Sequence, residues 1–199
     1  MKNKVLHIGV TGGIGSGKSI ICKIFNVLGI PVYNSDNRAK WLMQNDIELV
    51  SQIKNLFGEK AYFVDGQLNN SFLAKNVFHN KEKLNSLNSL VHPSVQKDFS
   101  NWVDKHESFK YIIKEAALLF ETGIYKNLDH IILVTAPQEI KIQRVLLRDS
   151  HRSREQVLAI IDKQMSDELK IPLANSQIIN DNNQMILPQV LKLHNEFIK

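Results

Sequence analysis

The segment at residues 12–19, which reads GGIGSGKS, constrains this chain more than any other feature of its sequence. It matches the pattern G-x-x-x-x-G-K-[ST], in which glycines let backbone N–H groups close around the phosphates of a nucleotide. In that pattern Lys18 reaches the outer phosphates, and the hydroxyl of Ser19 ligates Mg²⁺. The sequence therefore predicts a phosphate-binding loop made of Gly12, Gly13, Ile14, Gly15, Ser16, Gly17, Lys18 and Ser19.

The residues on either side predict a strand before this loop and a helix after it. Residues 5–10 form a short apolar run with β-branched side chains. After the loop, apolar residues recur at the spacing of one helix face, namely Ile21, Ile24, Phe25 and Leu28. Because the loop then joins a strand to a helix N-terminus, unpaired N–H groups and the helix dipole favour an anion there. A glycine-rich turn without a ligand is the weaker interpretation.

The composition fits one α/β domain with insertions. The chain has 199 residues, of which 43% are hydrophobic, and this is enough to build a core. Cys22 is its one cysteine, so no disulfide can form within the chain, and a reducing compartment is expected. The sequence has no apolar run of about eighteen residues, and residues 1–4 lead directly into the predicted strand rather than into a signal peptide. We therefore expect a cytoplasmic protein that does not bind a membrane.

The net charge leaves a non-enzymatic alternative open. The formal charge is +5, which is compatible with a basic nucleic-acid-binding protein. Lysine and arginine are scattered along the chain, however, and a site for polyphosphate substrates also needs positive potential. We expect no nucleic-acid partner, and a filter-binding assay with a salt titration tests this.

A polar cluster follows the second predicted strand. Residues 30–33 have the pattern of a short strand, and Asn34, Ser35 and Asp36 come directly after it. In open α/β sheets ligands bind at the carboxyl ends of the strands, so Asp36 can face the phosphates held by the first loop. An aspartate at this position is equally typical of a helix N-cap, and the sequence leaves both roles open.

Residues 37–107 contain apolar residues at helical spacing and no clear strand pattern. We interpret them as a helical insertion in the α/β domain, not as a separate domain. Within this segment His92 precedes Pro93. Because the residue before a proline disfavours helical geometry, we expect the helix to break there.

Three more short strands complete the predicted sheet. They cover residues 111–113, 130–134 and 177–179, and the first two are apolar enough to be buried parallel strands. Glu115 follows the first of them and is a candidate Walker-B-like carboxylate near Mg²⁺, although a solvated loop charge fits the sequence about as well. A C-terminal helix is predicted from the spacing of Ile186, Val190, Leu193 and Phe197.

Arginines cluster around a predicted helix–turn–helix. A helix from Pro137 carries Arg144 and Arg148 on one face, and a second helix is expected through Met165. More arginines lie in the turn between them. Such a cluster is either a solvated face or a lid that neutralises charge on a transferring phosphoryl group.

Taken in their order, these motifs resemble those of the dephospho-CoA kinase family over essentially the whole chain. The matching segments are TGGIGSGKS at residues 11–19, NSD and RAK within residues 34–40, VHP at residues 91–93, LLFE at residues 118–121, QR and Arg148 within residues 143–148, QM at residues 164–165 and ANSQIIN at residues 174–180. This match is more specific than a phosphate-binding loop alone, because the same loop serves many kinases.

The resemblance implies an α/β P-loop fold like that of nucleotide kinases, with a parallel sheet core flanked by helices. The core would cover about residues 1–36, 108–140 and 174–199, a helical acceptor-binding insertion about 37–107, and a lid about 141–173. It also implies an enzyme that uses ATP and Mg²⁺, and we expect a monomer or a weak homo-oligomer. Its reaction would transfer the γ-phosphoryl group to the ribose 3′-hydroxyl of dephospho-CoA, the last step of coenzyme A synthesis.

The resemblance also implies roles for individual residues. Residues 12–19 would hold ATP and Mg²⁺, with Ser19 on the metal, and Asp36 would be the base at the 3′-hydroxyl. Together with Lys18, Arg144 and Arg148 would act on the phosphates, and Asn180 would lie near adenine. The acceptor site would be lined by His92, Leu118, Leu119 and Gln164. For His92, a capping role before the proline fits equally well.

The sequence departs from the family pattern at three positions, and two other kinds of nucleotide-binding protein have to be weighed. Asn34, Ala117 and Asn175 stand where the family has aspartate, proline and aspartate, and the first change removes a carboxylate near the predicted base. A nucleoside or nucleotide kinase of the same fold is the main alternative, since the loop does not select the acceptor. A GTP-dependent switch is disfavoured because the sequence has no N-K-x-D motif.

Overall fold

The computed structural model describes residues 5–78 and 80–199. Residues 1–4, which contributed to the expectation of a cytoplasmic protein, lie outside the described residues. The chain divides into two compact units. The first, the sheet unit, joins the segment that ends at Asn34 to His106–Lys199, and the second, the helical unit, is Ser35–Lys105. No helix in the part of the chain that the structure describes is long and apolar enough to span a bilayer.

One five-stranded sheet organises the sheet unit. Its strands are β1 (Leu6–Thr11), β2 (Val32–Asn34), β3 (Tyr111–Glu115), β4 (His130–Thr135) and β5 (Ser176–Ile179). Their order across the sheet is β2-β3-β1-β4-β5, and every neighbouring pair is parallel. Each of the five overlaps a strand predicted from the sequence, and the predicted α/β fold class is confirmed.

The helices are numbered in chain order through both units. They are α1 (Lys18–Val27), α2 (Ser35–Asn45), α3 (Ile47–Phe57), α4 (Asn70–Phe78), α5 (Lys81–Asp104), α6 (Gln138–Arg148), α7 (Arg154–Ile161), α8 (Asp167–Lys170) and α9 (Ile186–Phe197). Short 3₁₀ turns cover Glu59–Ala61, Ile124–Asn127 and Ile171–Leu173.

The main core of the sheet unit lies between the sheet and the helices α1 and α9. Ile8 and Val10 of β1 are fully buried and belong to one cluster with Phe25 of α1 and Val190 of α9. β1 has a parallel strand on each side, which explains why its residues form a continuous apolar run rather than an alternating one. The apolar faces predicted for the first and last helices are therefore core faces.

The strand order brings the carboxyl ends of the strands to one edge of the sheet. β1 ends at Thr11, β2 at Asn34 and β3 at Glu115. Open parallel sheets bind ligands outside this edge, where connections leave neighbouring strands in opposite directions. The fold thus puts the loop at residues 12–19 at the ligand-binding edge, together with Asn34 and Glu115.

In the helical unit, α5 continues through Pro93, so the break expected at this proline is wrong. One side of α5 carries the buried side chains of Val91, Val95 and Phe99, and the helix packs against α2, α3 and α4. Pro93 lies on the exposed side, as does Ser89, whose carbonyl loses its N–H partner and can bind water instead. Packing of the buried face outweighs the local preference of the proline.

In the sheet unit, α7 ends at Ile161, so the helix expected through Met165 is shorter than predicted. Beyond it, the Gln164 side-chain oxygen accepts a hydrogen bond from the Ile14 N–H at 2.9 Å, and the Met165 N–H donates to the Glu121 carboxylate at 3.1 Å. The chain leaves helical geometry where these contacts to distant segments replace the bonds of another helical turn.

Candidate nucleotide-binding site

The loop at residues 12–19 connects β1 to α1, and two of its glycines show why the motif needs this residue type. Gly15 (φ +77°) and Gly17 (φ +94°) have left-handed geometry. A Cβ atom on Gly15 would lie 2.4 Å from the Lys141 carbonyl oxygen, and one on Gly17 would lie 2.2 Å from Asn180 Nδ2. Glycine alone fits both positions, and the resulting tight curve is the shape that a phosphate cradle at a helix N-terminus needs.

Lys18 begins α1 and folds over the same loop. Its Nζ donates hydrogen bonds to the carbonyl oxygens of Gly12 at 2.8 Å and Gly13 at 3.3 Å. The ammonium group is therefore already beside the loop backbone, the place from which the lysine of this pattern reaches phosphate oxygens.

Ser19, Asn34 and Glu115 form a hydrogen-bonded group next to the loop. The Ser19 hydroxyl donates to Glu115 Oε1 at 3.5 Å, and the Asn34 amide donates to Glu115 Oε2 at 2.6 Å. Glu115 is the last residue of β3 and is 6% exposed, so the alternative of a solvated loop charge is wrong. Burial and the charge of Glu115 together raise the pKa of the neighbouring Cys22 thiol, which keeps this cysteine protonated and unreactive.

The donor set near Ser19 suits Mg²⁺ bound together with a nucleotide. A hydroxyl and a carboxylate are the oxygen donors that Mg²⁺ prefers. The described residues contain no group of three or more His, Cys, Asp or Glu side chains that could hold a metal ion alone. An ion at Ser19 would therefore take most of its ligands from phosphate oxygens and water, as is usual for Mg²⁺ in phosphoryl-transfer sites.

Arg144 and Asn180 brace the loop from the side of α6 and β5. The Asn180 amide donates to the Ser16 carbonyl at 2.8 Å, and Asn180 is 4% exposed. The Arg144 guanidinium donates to Asn180 Oδ1 at 3.0 Å and to Asn182 Oδ1 at 2.6 Å. A longer contact of 3.5 Å joins it to the Ser16 carbonyl. Arg144, predicted to act on the phosphates, and Asn180, predicted to lie near adenine, thus meet at the loop.

Arg148, one helical turn further along α6, has different partners. Its Nε and Nη2 donate to the two carboxylate oxygens of Asp149, each at 2.9 Å. Hydrogen bonds from Arg148 and the nearby Arg152 lower the pKa of Asp149 to about 2. The Arg148 side chain is 62% exposed, so the structure brings Arg144 but not Arg148 against the loop.

Comparison with known proteins identifies the family. The dephospho-CoA kinase family model matches residues 6–185. The chain belongs to the dephospho-CoA kinase family. A dephospho-CoA kinase of Bacteroides fragilis is 37% identical over 188 residues, covering 94% of this chain and 91% of the relative. That of Porphyromonas gingivalis is 34% identical and covers 95% and 93%.

Two solved structures match this chain over nearly its whole length. The protein TT1252 from Thermus thermophilus superposes with a TM-score of 0.89 at 33% identity, covering 98% of this chain and 99% of that one. The dephospho-CoA kinase from Campylobacter jejuni superposes with a TM-score of 0.70 at 26% identity, covering 98% and 97%. The sheet unit and the helical unit therefore both fall within what dephospho-CoA kinase family members share in sequence and fold.

The acceptor residues predicted from the dephospho-CoA kinase pattern lie in several environments. In the sheet unit, Gln164 contacts the loop through Ile14, Leu118 is 43% exposed, and Leu119 is fully buried. The side chain of Leu119 would touch a Cβ on Gly9 of β1, which puts it in the core. Of the two leucines, only Leu118 offers its side chain to solvent.

The other two predicted residues belong to the helical unit. Asp36 is the second residue of α2, so it lies inside the first turn rather than at the N-cap. Its negative charge interacts favourably with the positive end of the helix dipole. His92 lies on the exposed side of α5. Between these helices, Arg38 pairs with both carboxylate oxygens of Asp98 at 2.9 and 2.5 Å.

Sequence reasoning missed Lys114, which precedes Glu115 in β3. Lys114 is 1% exposed, and its Nζ lies 6.0 Å from the centroid of the Tyr33 ring. Burial lowers the pKa of Lys114 to about 8. A signal was present in the sequence, since a lysine inside an otherwise apolar strand is seldom buried without a specific role.

Proposed function

We propose that this chain transfers the γ-phosphoryl group of ATP to the ribose 3′-hydroxyl of dephospho-CoA, giving coenzyme A. The observation that carries the proposal is the braced glycine loop, with Lys18 over its backbone and Ser19 against Glu115. Membership of the dephospho-CoA kinase family supports the choice of acceptor, which the loop itself does not select.

ATP binding is assigned to residues 12–19. The N–H groups at the start of α1 bind the β- and γ-phosphates, and Lys18 adds a charge-assisted contact to the outer oxygens. Ser19 would hold Mg²⁺, and Glu115 would fix the direction of the Ser19 hydroxyl. When bound there, the metal would supply positive charge that offsets the negative charge developing on the phosphates during transfer.

Asp36 is the proposed base at the acceptor hydroxyl. Phosphoryl transfer passes through a loose transition state in which the hydroxyl proton leaves late. The carboxylate therefore has two tasks, which are to hold the ribose 3′-oxygen in line with the γ-phosphorus and to accept its proton.

The remaining roles divide along the chain. We assign acceptor binding to the insertion at about residues 37–107 and a closing lid to about residues 141–173. Arg144 and Arg148 would close over the phosphates from that lid, and Asn180 would lie near adenine. Acceptor contacts are proposed for His92, Leu118 and Gln164, whereas Leu119 is buried in the core and is not proposed to touch the acceptor.

The cellular setting follows from the reaction. A kinase that completes coenzyme A from soluble substrates is proposed to work in the cytoplasm, as a monomer or a weak homo-oligomer. Nucleic acid is not a proposed partner, because lysine and arginine are scattered along the sequence rather than concentrated in one segment.

An acceptor screen tests the proposal. Purified protein is given ATP and Mg²⁺ with dephospho-CoA, adenosine, nucleoside monophosphates or shikimate-like alcohols, and ADP release is measured. We expect the highest kcat/KM with dephospho-CoA, and a Lys18→Ala variant controls for contaminating kinases. Equal or better turnover of a nucleoside monophosphate would favour the nucleotide-kinase alternative instead.

A further inference from the structure

A second lysine stands at the phosphate-binding loop, in a cleft of about 460 Å³ in the sheet unit. The cleft walls include Gly13, Pro137, Lys141, Gln164, Asp167 and Glu168. Lys141 belongs to α6 and is only 8% exposed, and its ammonium group is hydrogen-bonded to the carboxylate of Asp167. Neither the family motifs nor the proposed function gives this lysine a role.

Two ammonium groups from different helices converge on Gly13. The Lys18 Nζ lies 3.3 Å from the Gly13 carbonyl oxygen. On the side where Gly13 lacks a side chain, a Cβ atom would lie 3.5 Å from Lys141 Nζ, 3.5 Å from Gln164 Oε1 and 3.9 Å from Asp167 Oδ1. The ion pair therefore lies directly against the backbone of the loop, on a side of Gly13 that a larger residue would cover.

A purely structural role explains this pair poorly. Burying a lysine and an aspartate costs desolvation energy that their attraction only roughly offsets, so apolar side chains would join α6 to α8 as well. Two more acidic residues, Asp162 and Glu168, line the cleft together with Asp167. Without Lys141, the described lining residues of the cleft would include carboxylates and no cation, and their negative charge would disfavour a bound polyphosphate.

We propose that Lys141 is a second phosphate-binding cation. Asp167 holds the Lys141 ammonium beside Gly13, and the terminal phosphate of the nucleotide then replaces the carboxylate as its partner. The inference rests on the proposed function, because it requires that residues 12–19 bind a nucleoside triphosphate. It adds a charge that acts on the outer phosphates and not on adenosine.

Calorimetric titration of the full chain with MgATP, MgADP and AMP tests the inference. The variants are Lys141→Gln, Lys141→Arg and Asp167→Asn, with Lys192→Gln, an exposed lysine of α9, as the matched control for lost charge. We expect Lys141→Gln to weaken MgATP binding by about tenfold or more, the effect of losing one charge-assisted hydrogen bond, and to leave AMP binding unchanged. Lys141→Arg should restore most of the affinity, and Lys192→Gln should match the wild type.

Asp167→Asn separates phosphate binding from a structural role. The asparagine oxygen can still accept a hydrogen bond from Lys141 and keep it in place, but it carries no charge to compete with phosphate for the ammonium group. MgATP should therefore bind to Asp167→Asn at least as tightly as to the wild type. A structural ion pair predicts instead that Lys141→Gln and Asp167→Asn weaken all three ligands and lower the melting temperature alike, and that result would overturn the inference. Wild-type affinity in Lys141→Gln would overturn it too, whereas a wild type that binds no MgATP would refute the proposed function itself.

Discussion

The two units of the chain arrange their polar side chains in different ways. In the sheet unit, residues far apart in sequence bind one loop, as Asn180 binds Ser16 at 2.8 Å and Gln164 binds Ile14 at 2.9 Å. In the helical unit, the pair of Arg38 with Asp98 joins α2 to α5, which fixes helices rather than a ligand-binding loop.

The two arrangements have different consequences for ligand binding. A loop held by hydrogen bonds from several elements is preorganised, so it loses little freedom when it binds phosphate. The helical unit instead offers exposed side chains such as His92 along helices whose apolar faces are buried. Changes in the sheet unit should therefore affect nucleotide binding and rate, whereas changes in the helical unit should act through the acceptor.

The largest effect is expected from Lys18→Ala in the sheet unit. The Lys18 ammonium group contacts the carbonyl oxygens of the loop. Without it, the negative charge that develops on the β- and γ-phosphate oxygens would lose a stabilising partner. We expect kcat to fall by about 10⁴-fold, with ATP binding partly kept. Steady-state kinetics measures this, with Lys23→Ala, an exposed change on α1, as the control. A folded Lys18→Ala variant with more than about a tenth of wild-type turnover would show that the role assigned to the loop is wrong.

Asp36→Asn tests the helical side of the comparison. Asparagine keeps the shape and most hydrogen bonds but cannot take a proton, so kcat should fall by about 10²- to 10⁴-fold with little change in KM for ATP or in melting temperature. Asp46→Asn is the matched control, because Asp46 caps α3 through the Leu49 N–H at 3.0 Å and asparagine caps equally well. A kcat for Asp36→Asn within about threefold of wild type would remove Asp36 from the mechanism.

The parts of the fold that depend on local pattern were predictable from the sequence. Apolar runs located all five strands, helical spacing located α1 and α9, and the glycine motif located the loop. Each of these signals lies within a few residues of the element it specifies, because burial imposes a period of two or 3.6 residues on a single segment.

Contacts between distant segments could not be predicted in this way. Family resemblance associated Asn180 with adenine, but its bond to Ser16 joins residues that only the folded sheet brings together. The same holds for Lys141 and Asp167, which are on different helices. Continuation of α5 through Pro93 was missed for a related reason, since packing in the helical unit, not the local dipeptide, decides it.

The two arginines of α6 differ in their contacts, since Arg144 contacts the loop and Arg148 does not. Arg144→Lys should lower kcat/KM for ATP by about tenfold, because lysine cannot bond to Asn180, Asn182 and the Ser16 carbonyl together. Arg148→Lys should cost less, about threefold, because its partner Asp149 is adjacent in the chain and exposed pairs contribute little. Normal kinetics in both variants would show that neither arginine acts on the phosphates during transfer.

The smallest effect is expected from Asn34→Asp, which restores the aspartate of the family pattern. Asn34 donates to Glu115 at 2.6 Å, and aspartate has no proton to donate, so two carboxylates would face each other beside Ser19. We expect the protein without ligand to lose about 1 kcal/mol of stability. Because Mg²⁺ bound with nucleotide relieves this repulsion, MgATP should raise the melting temperature of the variant more than that of the wild type, and kcat should change only a few-fold.

Thermal denaturation with and without MgATP measures the difference, and Asn26→Asp, an exposed change of the same charge on α1, is the control. Equal MgATP-induced shifts in wild type and Asn34→Asp would mean that Asn34 does not set the charge balance at Glu115, and that the braced sheet unit tolerates either residue there.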